Sequence, residues 1–241
     1  MTRIAIVAAL ALLAGCGMVH AQADAGDSTV STRSFAATGF DRVALRGSDN
    51  VVVRVGTAES VTATGPQGEL EKLTVVVKDG ELRIGREKKD GWNIGWTPDR
   101  KPVVVTVTLP KLRAASVAGS GDMQVDRVQT TSFDGAIAGS GNLRIAQLTA
   151  DAASLDIAGS GDAFLAGQAK SLSVSIAGSG NLDANGLKAD RAKISVAGSG
   201  DVRAQVATEA DVSILGSGDV RIAGTPRCRV SKMGSGDVTC G

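Results

Sequence analysis

Tyrosine is absent from this 241-residue chain, and all aromatic residues together make up only 2% of it. So few rings exclude a core built on aromatic packing and leave little to stack against ligands. Histidine occurs once, as His20 near the N-terminus. That excludes histidine-dependent serine or cysteine catalysis and any histidine metal cluster. A surplus of either charge is also missing. Twenty-six basic residues stand against 25 acidic ones, with no basic run, which argues against nucleic-acid binding. The leading apolar run, residues 4–14, falls short of the roughly 20 residues that a membrane-spanning helix needs.

Glycine is abundant, and it is ordered. The core Gly-Ser-Gly-Asp/Asn begins at Gly119, Gly139, Gly159, Gly178, Gly198, Gly216 and Gly234, with steps of 20, 20, 19, 20, 18 and 18 residues. A near-fixed period of this size marks a stack of structural repeats. Around each first glycine the apolar residues fall at even offsets. Two before it stand Val117, Ile137, Ile157, Ile176, Val196 and Ile214, and four after it stand Met123, Leu143, Ala163, Leu182, Val202, Val220 and Val238. The odd offsets are mostly small or polar, as in Ser175, Ser195 and Ser213, or Gln124, Arg144, Phe164 and Asp183. A period of two is that of a half-buried strand.

Each repeat therefore reads as strand, glycine corner, strand. The corner glycines supply backbone angles closed to other residues, and the following Asp or Asn locks the bend on its own nearby backbone. One such unit cannot bury its apolar face, but a stack of them can. The expected fold is all-β: a single-stranded, right-handed parallel β-helix with coils of 18–20 residues. The hand follows from the preference of parallel crossovers. A helical alternative fails, because each glycine would cost a helix about 1 kcal/mol.

Residues 1–21 read as an export signal, with Arg3 as the lone charge before the apolar run. Two cleavage patterns are present. Leu13-Ala14-Gly15-Cys16 matches a lipobox, which would leave Cys16 lipidated, and Val19-His20-Ala21 matches an ordinary signal-peptidase site, which would release the chain at Gln22. Either places the protein outside the cytoplasm, periplasmic or on the outer membrane. Residues 22–34 are small and polar and are expected to form a flexible tether. The β-helix domain is expected over 35–241, less regular over 35–110 and regular over 111–241. In the first part Gly47-Ser48-Asp49-Asn50 is a degenerate corner, and Asp79-Gly80 between Leu73–Val77 and Leu82–Ile84 signals a tight hairpin. Early irregular coils or a hairpin would cap the open end of the stack.

Three cysteines suit an oxidising compartment. Once Cys16 is lipidated or removed, Cys228 and Cys240 remain. They lie six residues before and six after Gly234, on the inward parity. Strands folding back from that corner would bring them together, so a disulfide is expected to pin the last coil. The alternative is two buried free thiols.

Several stretches together resemble a known bacterial family. They are the opening Phe40-Asp41-Arg42-Val43, the hairpin strand Gly80-Glu81-Leu82-Arg83-Ile84, the strand Val105-Thr106-Val107-Thr108-Leu109-Pro110 and the train of Ala-Gly-Ser-Gly-Asp repeats. Over residues 35–238 the chain resembles DUF2807, the auto-transporter adhesin head GIN domain family. The resemblance implies a β-helical envelope domain and brings no catalytic or ligand residues.

Three surfaces are candidate sites. Trp92 and Trp96 stand in the one long polar insertion, residues 86–102, and would either stack on a sugar or membrane interface or fold down as a cap. Asp122, Asp162, Asp201, Asp219 and Asp237, interleaved with Asn142 and Asn181, form a ladder that would either bind Ca²⁺ or lock turns. Ser116, Ser175, Ser195, Ser213 and Ser231 with Ala118, Ala138, Ala158, Ala177 and Ala197 form a flat face suited to a partner or to solvent. No cofactor is expected. The expected function is a non-catalytic envelope module that binds a glycan or an envelope protein, attached to the membrane through a lipid if Cys16 carries one. The alternatives are a polysaccharide-acting enzyme using Asp and Glu, and a self-associating structural protein.

Overall fold

The computed structural model describes residues 29–86, 103–224 and 226–241. Strand β1 (Val30–Phe35) comes first, and the Gly47-Ser48-Asp49 corner then joins β2 (Arg42–Gly47) to β3 (Asn50–Val55). The chain next doubles back through β4 (Ser60–Pro66), the short helix α1 (Gln67–Leu70), β5 (Leu73–Lys78) and β6 (Glu81–Arg86). After residues 87–102 come β7 (Val104–Leu109), β8 (Ala114–Gly119) and β9 (Met123–Val125). The regular stack follows: β10 (Val128–Gly139), β11 (Leu143–Gly159), β12 (Ala163–Gly178), β13 (Leu182–Gly198) and β14 (Val202–Gly216). The final coil and a half comprise β15 (Val220–Ala223), β16 (Arg227–Met233) and β17 (Val238–Cys240).

Successive coils pair in parallel, and the glycine corners lie in register: Gly119, Gly139, Gly159, Gly178, Gly198 and Gly216 stack in one column. The fold is the β-solenoid expected from the repeat. Its coil is richer than strand, corner, strand. In the coil of β11, Leu143 and Ile145 are buried, then Ala146 and Gln147 are both exposed. Leu148 and Ala150 are buried, then Asp151 and Ala152 are both exposed, and Ala153, Leu155 and Ile157 are buried. Two adjacent exposed residues reverse the inward parity, so the chain bends there. Each coil thus has three sides, here 143–145, 148–150 and 152–159, and only the last bend is made by Gly-Ser-Gly. The 19- and 18-residue coils are shortened at the second side. Gly167 takes the place of Leu148, and β14 contributes only Gln205 and Val206 there.

Both glycines of each corner lie against the backbone of the neighbouring coil, where a Cβ on Gly159 would sit 2.3 Å from the Gly139 carbonyl oxygen, and the first carries a further constraint. The first adopts positive φ, from +125° to +138° in the regular stack, as expected. The second is set by close approach: a Cβ on Gly161 would lie 2.0 Å from the carbonyl oxygen of Gly141.

The N-terminal end is closed by antiparallel strands. On the first side β7 stacks under β3, β4 runs antiparallel outside β7, and β1 outside β4. On the third side β6 stacks under β2, and β5 closes the edge through the Asp79-Gly80 turn, both residues at positive φ. Residues 30–34, expected in the tether, therefore belong to the cap, because Ser31 to Phe35 find backbone partners on β4.

Candidate binding surfaces

The Asp/Asn ladder is a lock between coils. Each side chain accepts a hydrogen bond from the backbone N–H of the equivalent residue one coil on: Asn142 N to Asp122 at 3.2 Å, Asp162 N to Asn142 at 3.0 Å, Asn181 N to Asp162 at 3.0 Å, Asp201 N to Asn181 at 2.9 Å. The series continues with Asp219 N to Asp201 at 2.9 Å and Asp237 N to Asp219 at 3.0 Å. Where Asn follows Asp, its Nδ2 also donates to the same carboxylate oxygen, at 2.8 Å for Asn142 and 2.9 Å for Asn181. The expected lock on each residue's own turn is thus replaced by one on the neighbouring coil, since stacking brings that N–H into line. Among the described residues no group of three or more His, Cys, Asp or Glu is placed to hold a metal ion.

Beside this ladder, on the outer surface of the first side, runs a second column in register: Gln124, Arg144, Phe164, Asp183, Arg203 and Arg221. The Arg144 guanidinium lies 4.4 Å from the Phe164 ring centroid. Three adjoining hollows of about 310, 290 and 360 Å³ all include Phe164. One wall is the ladder, with Asp122, Asn142, Asp162, Asn181 and Asp201, and the other is Arg144, Phe164, Asp183 and Arg203. Arg203 has no partner among the described residues, and Asp183 accepts only from Asn185 N, at 3.1 Å. The result is a shallow groove along the stack axis with an aromatic ring at its centre, Arg144 stacked on that ring, and the Arg203 guanidinium unpaired among the described residues. In the sequence these residues stood at one odd offset from the corner, which marks them as outward-facing. That Arg144 stacks on Phe164 required the coil register.

The base of the long insertion is held by buried charge. Asp49 occupies the place of the second corner glycine, in the coil that has no Gly-Ser-Gly neighbour beneath it. Its carboxylate accepts from Arg86 Nε at 2.7 Å and Nη2 at 2.5 Å, and from Val103 N at 3.3 Å. Arg86 also pairs with Glu69 of α1, and Lys72 Nζ meets Glu69 at 2.8 Å. Burial pushes the Glu69 carboxyl up, but Lys72 and Arg86 outweigh it and hold the group below its ordinary value. The hydrogen bond from Arg86 to Asp49 raises the guanidinium pKa against the opposing effect of burial. The clamp thus joins the residues on both sides of 87–102. Trp92, Trp96 and Cys16 lie outside the described residues.

Cys228 and Cys240 are joined by a disulfide with Cα atoms 6.7 Å apart. The Ser/Ala columns lie on the third side with the alanines exposed, and the alanine column continues into exposed Leu215 and Met233.

The family described as "Putative auto-transporter adhesin, head GIN domain" matches residues 39–226. The chain belongs to this family. A solved structure of a "putative adhesin" from Bacteroides fragilis superposes with a TM-score of 0.78 at 26% identity, covering 87% of this chain and 96% of the other. A second "putative adhesin", from Parabacteroides distasonis, gives 0.68 at 22% identity, covering 88% and 97%. A "putative lipid binding protein" from the same species gives 0.67 at 22%, covering 89% and 98%. At 22% identity the last two establish the fold alone. No curated protein matches.

Proposed function

We propose that this family member is a non-catalytic, exported module of the cell envelope that binds a glycan through the first-side groove. The observation that carries the reading is the convergence of three hollows on Phe164, flanked by Arg144, Asp183 and Arg203. An aromatic ring takes the apolar face of a sugar, while carboxylates and guanidinium groups bond its hydroxyls. A non-catalytic role is favoured because each ladder carboxylate from Asp122 to Asp219 already holds the next coil's N–H, and the sole histidine lies at position 20. Export rests on the leader read at residues 1–21, and attachment to a membrane on lipidation of Cys16. The adhesin description of the family agrees with an envelope binding role.

The test is a glycan array probed with the chain from Gln22 onward, beside a Phe164→Ala variant and a Trp92→Ala/Trp96→Ala variant. Selective binding weakened about tenfold or more by Phe164→Ala is expected, the scale of one lost stacking contact. Binding lost only in the tryptophan variant would move the site to the insertion. A blank array would sink the glycan reading.

A further inference from the structure

A hollow of about 640 Å³, larger than each of the three around Phe164, lies on the second side and has no part in the groove just described. Its position follows from the coil. The second side begins only at β10, because β3 and β9 belong to the first side, and it shortens again at β14. Between these limits the outward column Gln129, Thr149, Gln168 and Lys188 runs in register, one polar side chain per coil. At about 4.8 Å per coil that column is roughly 14 Å long. Such a length suits several units of a linear polymer better than a single small molecule.

The charges along it are asymmetric. Lys111 stands at the N-terminal mouth and Lys188 at the other, and neither has a partner among the described residues. Between them Lys170 is paired with Asp151 at 2.7 Å, so these two cancel. Asp190 is the remaining carboxylate of the lining. Two free ammonium groups thus face one carboxylate, along a floor whose other polar groups are amides and hydroxyls. The hollow has no aromatic lining. It offers hydrogen bonds and positive charge without a stacking platform.

We infer that the second-side groove binds a linear acidic polysaccharide, one carrying carboxylates such as uronate units, independently of the Phe164 groove. The two free lysines would meet carboxylates of the polymer, and Gln129, Thr149 and Gln168 its hydroxyls. This site does not rest on the reading of the first side, and each can fail alone.

The test uses calorimetric titration of the full exported chain with a uronate oligosaccharide and with a neutral glucan of equal length. Both are run at low salt and at about 0.15 M, where exposed charges more than about 8 Å apart are largely screened. The uronate is expected to bind at low salt, to weaken several-fold at the higher salt, and to outcompete the glucan. The Lys111→Gln/Lys188→Gln variant should lose about tenfold in affinity with an unchanged melting temperature, because both side chains are exposed and unpaired. The titrations are repeated in the Phe164→Ala background, which removes binding at the first-side groove, and the preference for uronate and its loss in the double lysine variant are expected to persist there. The inference is overturned if the uronate does not bind, if the glucan binds equally, or if the double variant binds as well as the parent. It is also overturned if the lysines matter only for vesicles of mixed phosphatidylglycerol and phosphatidylcholine, which would make the surface a lipid-headgroup site.

Discussion

A methyl group on the second glycine of an interior corner has nowhere to go. At Gly161 it would meet the Gly141 carbonyl oxygen at 2.0 Å and Ile137 Cγ2 at 2.8 Å. The first contact is backbone, which cannot move without breaking the register of two coils. Gly161→Ala should therefore cost about 3 kcal/mol or more, in the range of severe overpacking. Ser160 between the two glycines is exposed, and only its backbone N–H is engaged, at 2.8 Å from Gly139 O. Ser160→Ala should change stability by less than about 0.5 kcal/mol. Asp162→Ala should fall between them at about 1–3 kcal/mol, since it leaves both the N–H and the Nδ2 of Asn181 without their acceptor. Denaturant melts of the three variants would check that order. An Asp162→Ala variant as stable as the parent would mean that the ladder does not hold the coils together.

At the scale of elements, the clamp that Asp49 makes with Arg86 and Val103 depends on a buried charge. The Asp49 side chain is 2% exposed and that of Arg86 12%. Asp49→Ala leaves Arg86 with Glu69 alone and Val103 N–H without its acceptor, so it should cost about 3 kcal/mol. The pH dependence has a definite sign. Glu69 has a lowered pKa when folded, so its contribution is present above its unfolded value near 4.5 and is lost as pH falls through the folded one. Acid should loosen α1 and the β5–β6 hairpin before the regular coils, which hydrogen exchange of their amides would show. Much of this architecture could be read before the structure. Even-offset apolar residues located the sides flanking each glycine corner, and Asp79-Gly80 located the hairpin. The second side was missed because the bends at 146–147 and 151–152 reverse the parity on which that reading relied. The Asp49 clamp had a trace, an Asp where every later corner has glycine, but its meaning required knowing that no such corner lies beneath it. The Phe164 groove could not be foreseen for a related reason: neighbours across coils are 18–20 residues apart, and local spacing does not show them.

For the molecule as a whole, a stack of identical coils must stop without inviting another. The N-terminal end stops through antiparallel strands that cover the edges. At the last described coil the repeat itself changes. The position two before the corner glycine is apolar in each preceding regular coil, and in the last it is Lys232, in register above Ile214. Its ammonium donates to Gly236 O at 3.1 Å and meets Asp237 at 3.3 Å, so the side chain crosses the final corner and places charge where the apolar column would continue. The Cys228–Cys240 disulfide closes the same coil. Leu215, Val230 and Met233 remain exposed nearby, beside edges of β16 and β17 that pair with no further strand among the described residues. A charged residue on an exposed edge opposes pairing with another chain, because pairing would take its charge out of water. Lys232→Ile should therefore turn this end into a docking surface. Sedimentation velocity should show concentration-dependent association of the variant and a monomeric parent under the same conditions. Reducing the disulfide should have a different effect, a local one. In a stack where each coil touches only its neighbours, losing the staple should fray β16 and β17 in hydrogen exchange while β11 to β13 stay protected. Equal loss of protection along the whole stack would show that the solenoid unfolds as one cooperative unit, and that its last coil holds the rest in place.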